Sequence, residues 1–383
     1  MLIRPIRPDE AAALEKLRAA AFSFKADPEH TRPIVHETLG AYDDGVLLAS
    51  ITIRPYTCNW CGEYLPALGV GGVSTMPLAR RAGAIRKLFG ELDRLAAERG
   101  WAWGMLYPFS YPYYRQFGYE RLDPPHNYTI PLPSFDCVPR CSDGVLYDGS
   151  QADALFAIHR RYADAHNLMA LRDNANAWDA TPERSLRYTY LHRDPSGTFD
   201  AYVTLTYAAD AIEVSELAYT SPASLTGVLG ILRLFEGQRK QLRFPALPAT
   251  SPVIGMLSRY EITERSIYNG VMGRVLDTET LLRKNSYPDV SGHFTLTVHD
   301  ALPSCAGTFT VAYANGHADV SRTDRPADVE TDAPNLSRIL LSGIGYTAEE
   351  LPYLPNTRVL DTARAADFSR AFPRRSVHLM EHF

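Results

Sequence analysis

Between residues 70 and 95 the pattern of apolar and polar residues changes from that of a strand to that of a helix. Residues 70–76 form an apolar run with β-branched side chains, which predicts a buried strand. Pro77 ends this strand, because proline lacks the amide donor that a central ladder needs. After Gly83 the apolar residues recur three and four positions apart, at Ile85, Leu88, Phe89, Leu92 and Leu95. This spacing predicts a helix with one buried face that ends at Gly100.

The flanking residues predict alternating strands and helices throughout the first 130 residues. The expected elements around this unit are a strand at 2–7, a helix from Pro8, a hairpin at 41–54, a second hairpin turning at 58–62, a strand at 101–107 and a short helix from Pro112 to Gly118. This mixture of helices and strands predicts an α+β or α/β fold.

A similar unit returns further along the chain. A helical pattern at 152–166 precedes strand patterns at 199–207 and 212–219, and residues 220–222 lead into an apolar helix at 227–235. We therefore predict an internal duplication. After residue 285 the pattern changes again. Strands are expected at 293–298 and 308–313, short helices at 335–341 and 348–351, and a longer helix at 360–372.

The loop between the Val70 strand and its helix carries candidate chemistry. The first-turn amides of a helix have no partner inside it, and Gly83 allows a ligand to approach the backbone closely. Arg80 and Arg81 supply countercharge, so the loop predicts a phosphate pocket. It matches neither the P-loop nor the Gly-x-Gly-x-x-Gly pattern. In the second repeat Leu225 and Thr226 stand roughly where the arginine pair would be, so that copy is expected to lack the pocket.

Composition narrows the function classes. A length of 383 residues allows two or three domains, and a net charge of −5 gives no indication of a nucleic-acid or membrane partner. With no signal-peptide pattern and no long apolar run, we expect a cytoplasmic protein. Cys58 with Cys61 and Cys137 with Cys141 offer a four-thiolate zinc site, but their spacing favours free thiols, so no metal is expected.

Two motifs carry a resemblance to the GNAT superfamily of N-acetyltransferases. Arg-x-x-Gly at residues 80–83 resembles its pyrophosphate-binding signature, and Tyr-Arg-x-Phe-Gly at residues 114–118 resembles its tyrosine element. The resemblance implies that Tyr114 lies beside the sulfur of acetyl-CoA. A phenol there can protonate the departing thiolate.

The whole chain resembles the Eis-type (enhanced intracellular survival) acetyltransferases. The resemblance implies an active GNAT domain at 1–130, a degenerate GNAT domain at 131–285 and a domain similar to sterol carrier proteins at 286–383. It also implies acetyl-CoA as co-substrate, a small-molecule or peptide amine as acceptor (aminoglycosides or lysine side chains), and a homo-oligomer, here a hexamer. His382 departs from the family, where an acidic residue can precede the terminal phenylalanine, so a different preference among polycations is expected.

Site residues follow from the same resemblance. Val73 and Thr75 would bind pantetheine through their backbone, and the pyrophosphate would contact Arg80, Arg81, Gly83 and Ala84. Tyr114 would be the general acid and the terminal carboxylate of Phe383 the general base. The apolar end of the chain independently predicts anchoring, and a buried carboxylate without a function is costly. Asp27, Glu29 and Glu37 are expected either to attract cationic acceptors or to form a solvated loop face.

Two alternatives stay open. The first is a non-catalytic protein that binds lipid or another ligand in its C-terminal domain, with the GNAT units as scaffold. The second is an acetyltransferase that acts on lysine side chains of proteins rather than on aminoglycosides. The intact Arg80, Arg81, Gly83 and Tyr114 favour an enzyme over a scaffold.

Overall fold

The computed structural model describes residues 1–26, 32–122, 125–174, 177–178, 180–267 and 270–383. The chain forms two compact units. The first contains Met1–Leu122, Val271–Arg374 and His382–Phe383, and the second contains Asp123–Gly270 and Arg375–Glu381.

The strands of the described residues follow one another in this order: β1 Leu2–Pro5, β2 Thr38–Asp43, β3 Val46–Trp60, β4 Glu63–Thr75, β5 Trp103–Leu106, β6 Glu120–Arg121, β7 His126–Pro131, β8 Gly144–Leu146, β9 Arg187–Arg193, β10 Phe199–Tyr207, β11 Ala211–Tyr219, β12 Gln241–Leu247, β13 Glu264–Ile267, β14 Met272–Val275, β15 Gly292–His299, β16 Gly307–Ala314, β17 His317–Arg322, β18 Val329–Asp332 and β19 Arg358–Val359.

The α-helices of the same residues are α1 Ala11–Phe22, α2 Ala84–Arg99, α3 Tyr111–Arg115, α4 Ala152–Asp164, α5 Pro182–Ser185, α6 Pro222–Leu232, α7 Thr278–Arg283, α8 Ala333–Leu341 and α9 Thr362–Ala371. Among them, no helix is long and apolar enough to cross a bilayer. Helix α2 buries the apolar face that its sequence predicts. Each fully buried leucine or phenylalanine stabilises such packing by about 1.5–3 kcal/mol.

In the first sheet, β4 pairs with its neighbour β5 along only part of its length. Its order is β1-β2-β3-β4-β5-β14-β6, and β4 runs parallel to β5 through the crossover helix α2. This parallel pairing extends from Ala67 opposite Trp103 to Val70 opposite Leu106, and β5 ends there. Strand β4 continues through residues 71–75 with a bulge at Gly72, whose φ is +56°. Backbone groups on the β5 side of residues 71–75 therefore have no ladder partner in the described part of β5.

The second sheet repeats this topology, as the predicted duplication requires. Its order is β8-β9-β10-β11-β12-β7-β13, with β12 parallel to β11 after the crossover helix α6. Strand β7 follows β6 in sequence but belongs to the second sheet, and β14 follows β13 but belongs to the first. The two repeats thus exchange one strand each. The predicted domain boundaries after residues 130 and 285 stay a prediction.

A third sheet in the first unit has the order β17-β16-β15-β18-β19, and α9 packs against β15. A mixed fold of two GNAT-like sheets and a third region agrees with the predicted fold class. The resemblance of this region to sterol carrier proteins stays a prediction. The helix expected at 348–351 is wrong, because a 3-10 turn forms at Leu351–Tyr353 instead. Pro352 disfavours the α conformation for the residue before it.

Candidate active site

An open helix end follows the last residues of β4. A 3-10 turn at Pro77–Ala79 leads to Arg81, whose φ is +68°, and then to Gly83 at the N-terminal end of α2. In the described part of the chain, no side chain caps this end. A Cβ placed on Gly83 would meet no atom within 4 Å. The first-turn amides of α2 therefore face open space, which is the geometry of an anion site.

Positive charge stands beside these amides. Arg80 and Arg81 are exposed, and neither forms an ion pair or a side-chain hydrogen bond with any residue that the structure describes. Ala84 is buried in the first turn of α2, so its contribution to a ligand is limited to its backbone. The structure therefore brings the predicted residues Arg80, Arg81, Gly83 and Ala84 together in one loop.

The predicted pantetheine residues lie on the unpaired extension of β4. Val73 and Thr75 are half-buried, and both follow the point at which β5 stops pairing with β4. Unpaired strand backbone needs a hydrogen-bonding partner, which water or an amide-containing ligand can supply. The position of both residues fits a chain of amides running from the open end of α2 along β4.

The last residue of the chain lies on this same part of β4. An ideal Cβ at Gly71 would be 2.7 Å from the carbonyl carbon of Phe383 and 3.3 Å from its oxygen. The Phe383 ring packs against Tyr56 and Tyr107, with centroid distances of 5.9 and 5.1 Å. Arg54 Nη1 donates a hydrogen bond of 2.9 Å to the His382 carbonyl oxygen. The terminal carboxyl group thus contacts the strand extension, at a position where a Cβ would force it to shift.

Tyr114 is enclosed by aromatic rings. It lies on α3 with 3% of its surface exposed, and its ring meets those of Phe89, Phe109 and Tyr113 edge-on. No hydrogen bond joins its hydroxyl to any residue described here. Burial raises the pKa of Tyr114 well above its usual range. The phenol therefore keeps its proton at neutral pH, as a proton donor must.

The predicted acidic residues are not gathered at this site by the described structure. Glu37 accepts two hydrogen bonds from Arg99, of 2.6 and 2.9 Å, so its charge is compensated. Asp27 and Glu29 lie outside the described residues. Their attraction of cationic acceptors stays a prediction. No group of three or more His, Cys, Asp or Glu suited to a metal ion occurs in the described ranges.

The second repeat differs at the corresponding helix end. Helix α6 begins at Pro222, not at Gly227, and Ser221 Oγ caps it by accepting a 3.1 Å hydrogen bond from the Ser224 amide. Leu225 and Thr226 therefore lie inside the helix, which corrects their predicted place in a loop. In the described residues between β11 and α6 the second repeat has no loop like that of Arg80 and Arg81. The Ser221 side chain accepts the hydrogen bond that the helix N-terminus would otherwise offer to an anion.

Sequence reasoning missed three residues at this part of β4: Gly71, Arg54, and Arg18, whose Nη2 lies 3.2 Å from the position of a Cβ on Gly72. The run Gly69-x-Gly71-Gly72 inside a strand was a usable signal, because glycine in a strand often marks close backbone approach. The two arginines carry no such signal, because they lie on α1 and β3, away from residues 69–72 in the sequence.

Comparison with known proteins finds a family match for the part of the chain that contains the α2 loop and Tyr114. Residues 2–122 match the family model of the acetyltransferase (GNAT) domain. These residues are a GNAT acetyltransferase domain. The GNAT domain runs from β1 to the residue after β6 and includes the α2 loop, Gly71 and Tyr114. The prediction of a transferase enzyme is confirmed at the level of this domain.

Relatives of the GNAT domain and of the whole fold agree with this assignment. An uncharacterized N-acetyltransferase of Streptomyces avermitilis is 27% identical over 150 residues, which are 37% of this chain and 35% of that protein. A conserved protein of unknown function from Enterococcus faecalis V583 superposes with a TM-score of 0.83 at 21% identity, over 100% of this chain and 99% of its own. Eis1 from Mycobacterium abscessus gives 0.81 at 18% identity over both whole chains. At these identities the structures share the fold.

Proposed function

We propose that the chain is an N-acetyltransferase that transfers the acetyl group of acetyl-CoA to a primary amine of a small molecule or peptide. The observation that carries the proposal is the position of the Phe383 carboxyl group on Gly71 within a GNAT domain. A carboxylate at this position supports the proposal, because it can accept a proton beside the strand extension that leads to the open end of α2. Acetyl-CoA is the expected co-substrate, because that helix end fits a pyrophosphate and the unpaired backbone of β4 fits an amide chain.

The residues divide the proton transfers between them. When bound, acetyl-CoA supplies the acetyl group as a thioester. The Phe383 carboxylate takes a proton from the acceptor ammonium, directly or through a water, which frees the nitrogen lone pair for attack. As the C–N bond forms and the C–S bond breaks, Tyr114 donates its proton to the sulfur. The nitrogen releases its second proton to solvent as the amide forms, and solvent returns a proton to the Tyr114 phenolate. Holding both reactants in one cleft contributes as much to the rate enhancement as the general acid and the general base do.

A thiol-release assay tests the proposal. The protein is incubated with acetyl-CoA and, separately, an aminoglycoside, a polyamine and a lysine peptide, and free CoA thiol is measured. Release that depends on an amine is the expected result. Release with none of these amines, nor with any simple primary amine, would favour the alternative of a ligand-binding protein. The predicted hexamer is checked separately, by light scattering of the purified chain.

We expect one CoA to bind per chain, at the open end of α2. Replacing both Arg80 and Arg81 with alanine should weaken CoA binding at least tenfold, because charge-assisted hydrogen bonds contribute about 1.5–3 kcal/mol each. Titration calorimetry measures both the stoichiometry and the affinity. Arg325→Ala is the matched control, since Arg325 is another exposed arginine of the first unit. Two CoA molecules per chain, or unchanged affinity in the double variant, would contradict this prediction.

Gly71→Ala should slow acetyl transfer without unfolding the GNAT domain. The new methyl group would lie 2.7 Å from the Phe383 carbonyl carbon, well inside the usual contact distance of about 3.5 Å. The terminal carboxyl must then shift by several tenths of an ångström, and a 1 Å misplacement costs about a hundredfold in rate. We expect a loss of about tenfold to a hundredfold in kcat.

Gly90→Ala is the matched control for this substitution, because a Cβ at Gly90 on α2 would meet no atom within 4 Å. Both variants should keep the wild-type CoA affinity and a similar melting temperature. A Gly71→Ala protein as active as Gly90→Ala would exclude a catalytic role for the terminal carboxyl at its observed place.

A further inference from the structure

Two arginines near the chain terminus lack carboxylate partners. Arg18 on α1 and Arg54 on β3 are both half-buried, and neither forms an ion pair with a side-chain carboxylate of the described residues. Arg18 Nη2 donates a 2.7 Å hydrogen bond to Thr52 Oγ1. It also lies 3.2 Å from the position of a Cβ on Gly72, at the bulge of β4. Arg54 is tied to the His382 carbonyl, as described above.

Their hydrogen-bonding capacity is not used up. The Nε atoms of both guanidinium groups are buried without a partner. In the residues that the structure describes, Arg18 Nη1 and Arg54 Nη2 also have no acceptor. Leaving donors of a charged group unsatisfied costs about 1–3 kcal/mol or more, so an anionic ligand that accepts hydrogen bonds from them would bind favourably.

Electrostatics agrees with this geometry. Burial, and next the charge of Arg54, lower the pKa of Arg18. His36 lies near both arginines, and burial and the two guanidinium charges lower its pKa. Among the described residues, no carboxylate forms an ion pair with either guanidinium group. The surroundings of the chain terminus are therefore suited to a further anion rather than to a further cation.

Resting on the proposed function, we propose that Arg18 and Arg54 bind an anionic group of the acceptor, so that the preferred substrate is an amine that also carries a carboxylate or a phosphate. The two guanidinium groups lie beside Gly72 and His382, the neighbours in sequence of Gly71 and Phe383. An acceptor held there by its anionic end would present its amine to the terminal carboxylate. A polycation would meet the same charges as repulsion.

Matched amines test this substrate class. Thiol release is measured for β-alanine, O-phosphoethanolamine and the neutral ethanolamine, with spermidine as the polycation. The expected kcat/KM of an anionic amine exceeds that of ethanolamine by at least about tenfold, the effect of one charge-assisted hydrogen bond. Comparing β-alanine with O-phosphoethanolamine distinguishes a carboxylate from a phosphate as the recognised group.

Arg18→Gln removes the charge and keeps a donor for Thr52. It should reduce kcat/KM for the anionic amine about tenfold and leave that for ethanolamine unchanged, whereas Arg325→Gln should change neither. If Arg18→Gln fails to fold, the comparison of amines on the wild-type protein still decides. Equal rates for anionic and neutral amines, or a preference for spermidine, would overturn the inference. Absence of thiol release with every amine would instead overturn the proposed acetyltransferase function.

Discussion

Deleting Phe383 is expected to reduce kcat for acetyl transfer by at least about a hundredfold. The deletion moves the terminal carboxylate to His382, one residue short of its place, and one residue spans up to about 3.5 Å. A misplacement of 1 Å already costs about a hundredfold in rate. The carboxylate would no longer reach Gly71, where the carbonyl carbon of Phe383 now lies. Thiol release at saturating acetyl-CoA and amine measures the effect.

The fold should tolerate this deletion. The preceding tail segment is held within the second unit by its own contacts, which Phe383 does not make. The His378 amide donates a 3.1 Å hydrogen bond to the Asn167 carbonyl, and Arg172 forms a 2.8 Å ion pair with Glu381. The shortened protein should therefore keep its melting temperature and its CoA affinity, and both measurements serve as controls.

A conservative variant separates the carboxylate from the ring. Phe383→Leu keeps the α-carboxylate and an apolar side chain between Tyr56 and Tyr107, so it should retain most of the activity. A C-terminal affinity tag converts the carboxylate into an amide and should act like the deletion. An N-terminal tag should be harmless. It would remove the ion pair between the Met1 amino group and Asp43, and such a pair contributes little because the Asp43 side chain is largely exposed. A C-terminally tagged protein with the untagged rate would refute the assignment of the base.

The unit from β4 to α2 could be predicted from sequence because its signals are local. Pro77 ends the strand region and Gly100 ends the helix, while Ile85 and Leu88 belong to the periodic apolar face. Local signals also gave the GNAT resemblance, since its two motifs are short and continuous. The predicted helix of the second repeat starts five residues too late, because the apolar period begins after the actual start signal, which is the Ser221 cap followed by Pro222.

Features that depend on distant residues could not be predicted in this way. The exchange of β7 and β14 between the repeats leaves no trace in either strand's own sequence. The contact of Phe383 with Gly71 joins residues far apart in the chain, and from sequence only the apolar terminus and a family resemblance pointed to it. Arg18, which forms no ion pair with a carboxylate of the described residues, likewise gives no sequence signal, because its lack of a carboxylate partner is visible only in the structure.

Replacing Tyr114 with phenylalanine is expected to reduce kcat by about 10²–10⁴-fold, the usual contribution of a general acid. The ring would remain enclosed by Phe89, Phe109 and Tyr113, so the packing of α3 should not change. The lost hydroxyl has no hydrogen-bond partner among the described residues, so its removal leaves no donor or acceptor of the protein unsatisfied. CoA affinity should therefore stay at the wild-type value.

Tyr113→Phe is the matched control. Tyr113 lies on the same short helix, and burial raises its pKa as well, but its ring is the more exposed of the two. Removing its hydroxyl should change kcat by less than about threefold. Equal losses in both variants would indicate a general effect on α3 rather than proton donation by Tyr114.

The pH dependence gives an independent test of the same assignment. Because burial raises the pKa of Tyr114 above the ordinary value of about 10, the phenol keeps its proton throughout the range in which the acceptor amine becomes neutral. The wild-type rate should therefore rise with pH and show no decline below about pH 10. In Tyr114→Phe, water must protonate the thiolate, so the remaining rate should follow the same rise at a much lower level. A wild-type rate that falls between pH 8 and 9 would require an acid with a lower pKa, and Tyr114 would then not be the proton donor.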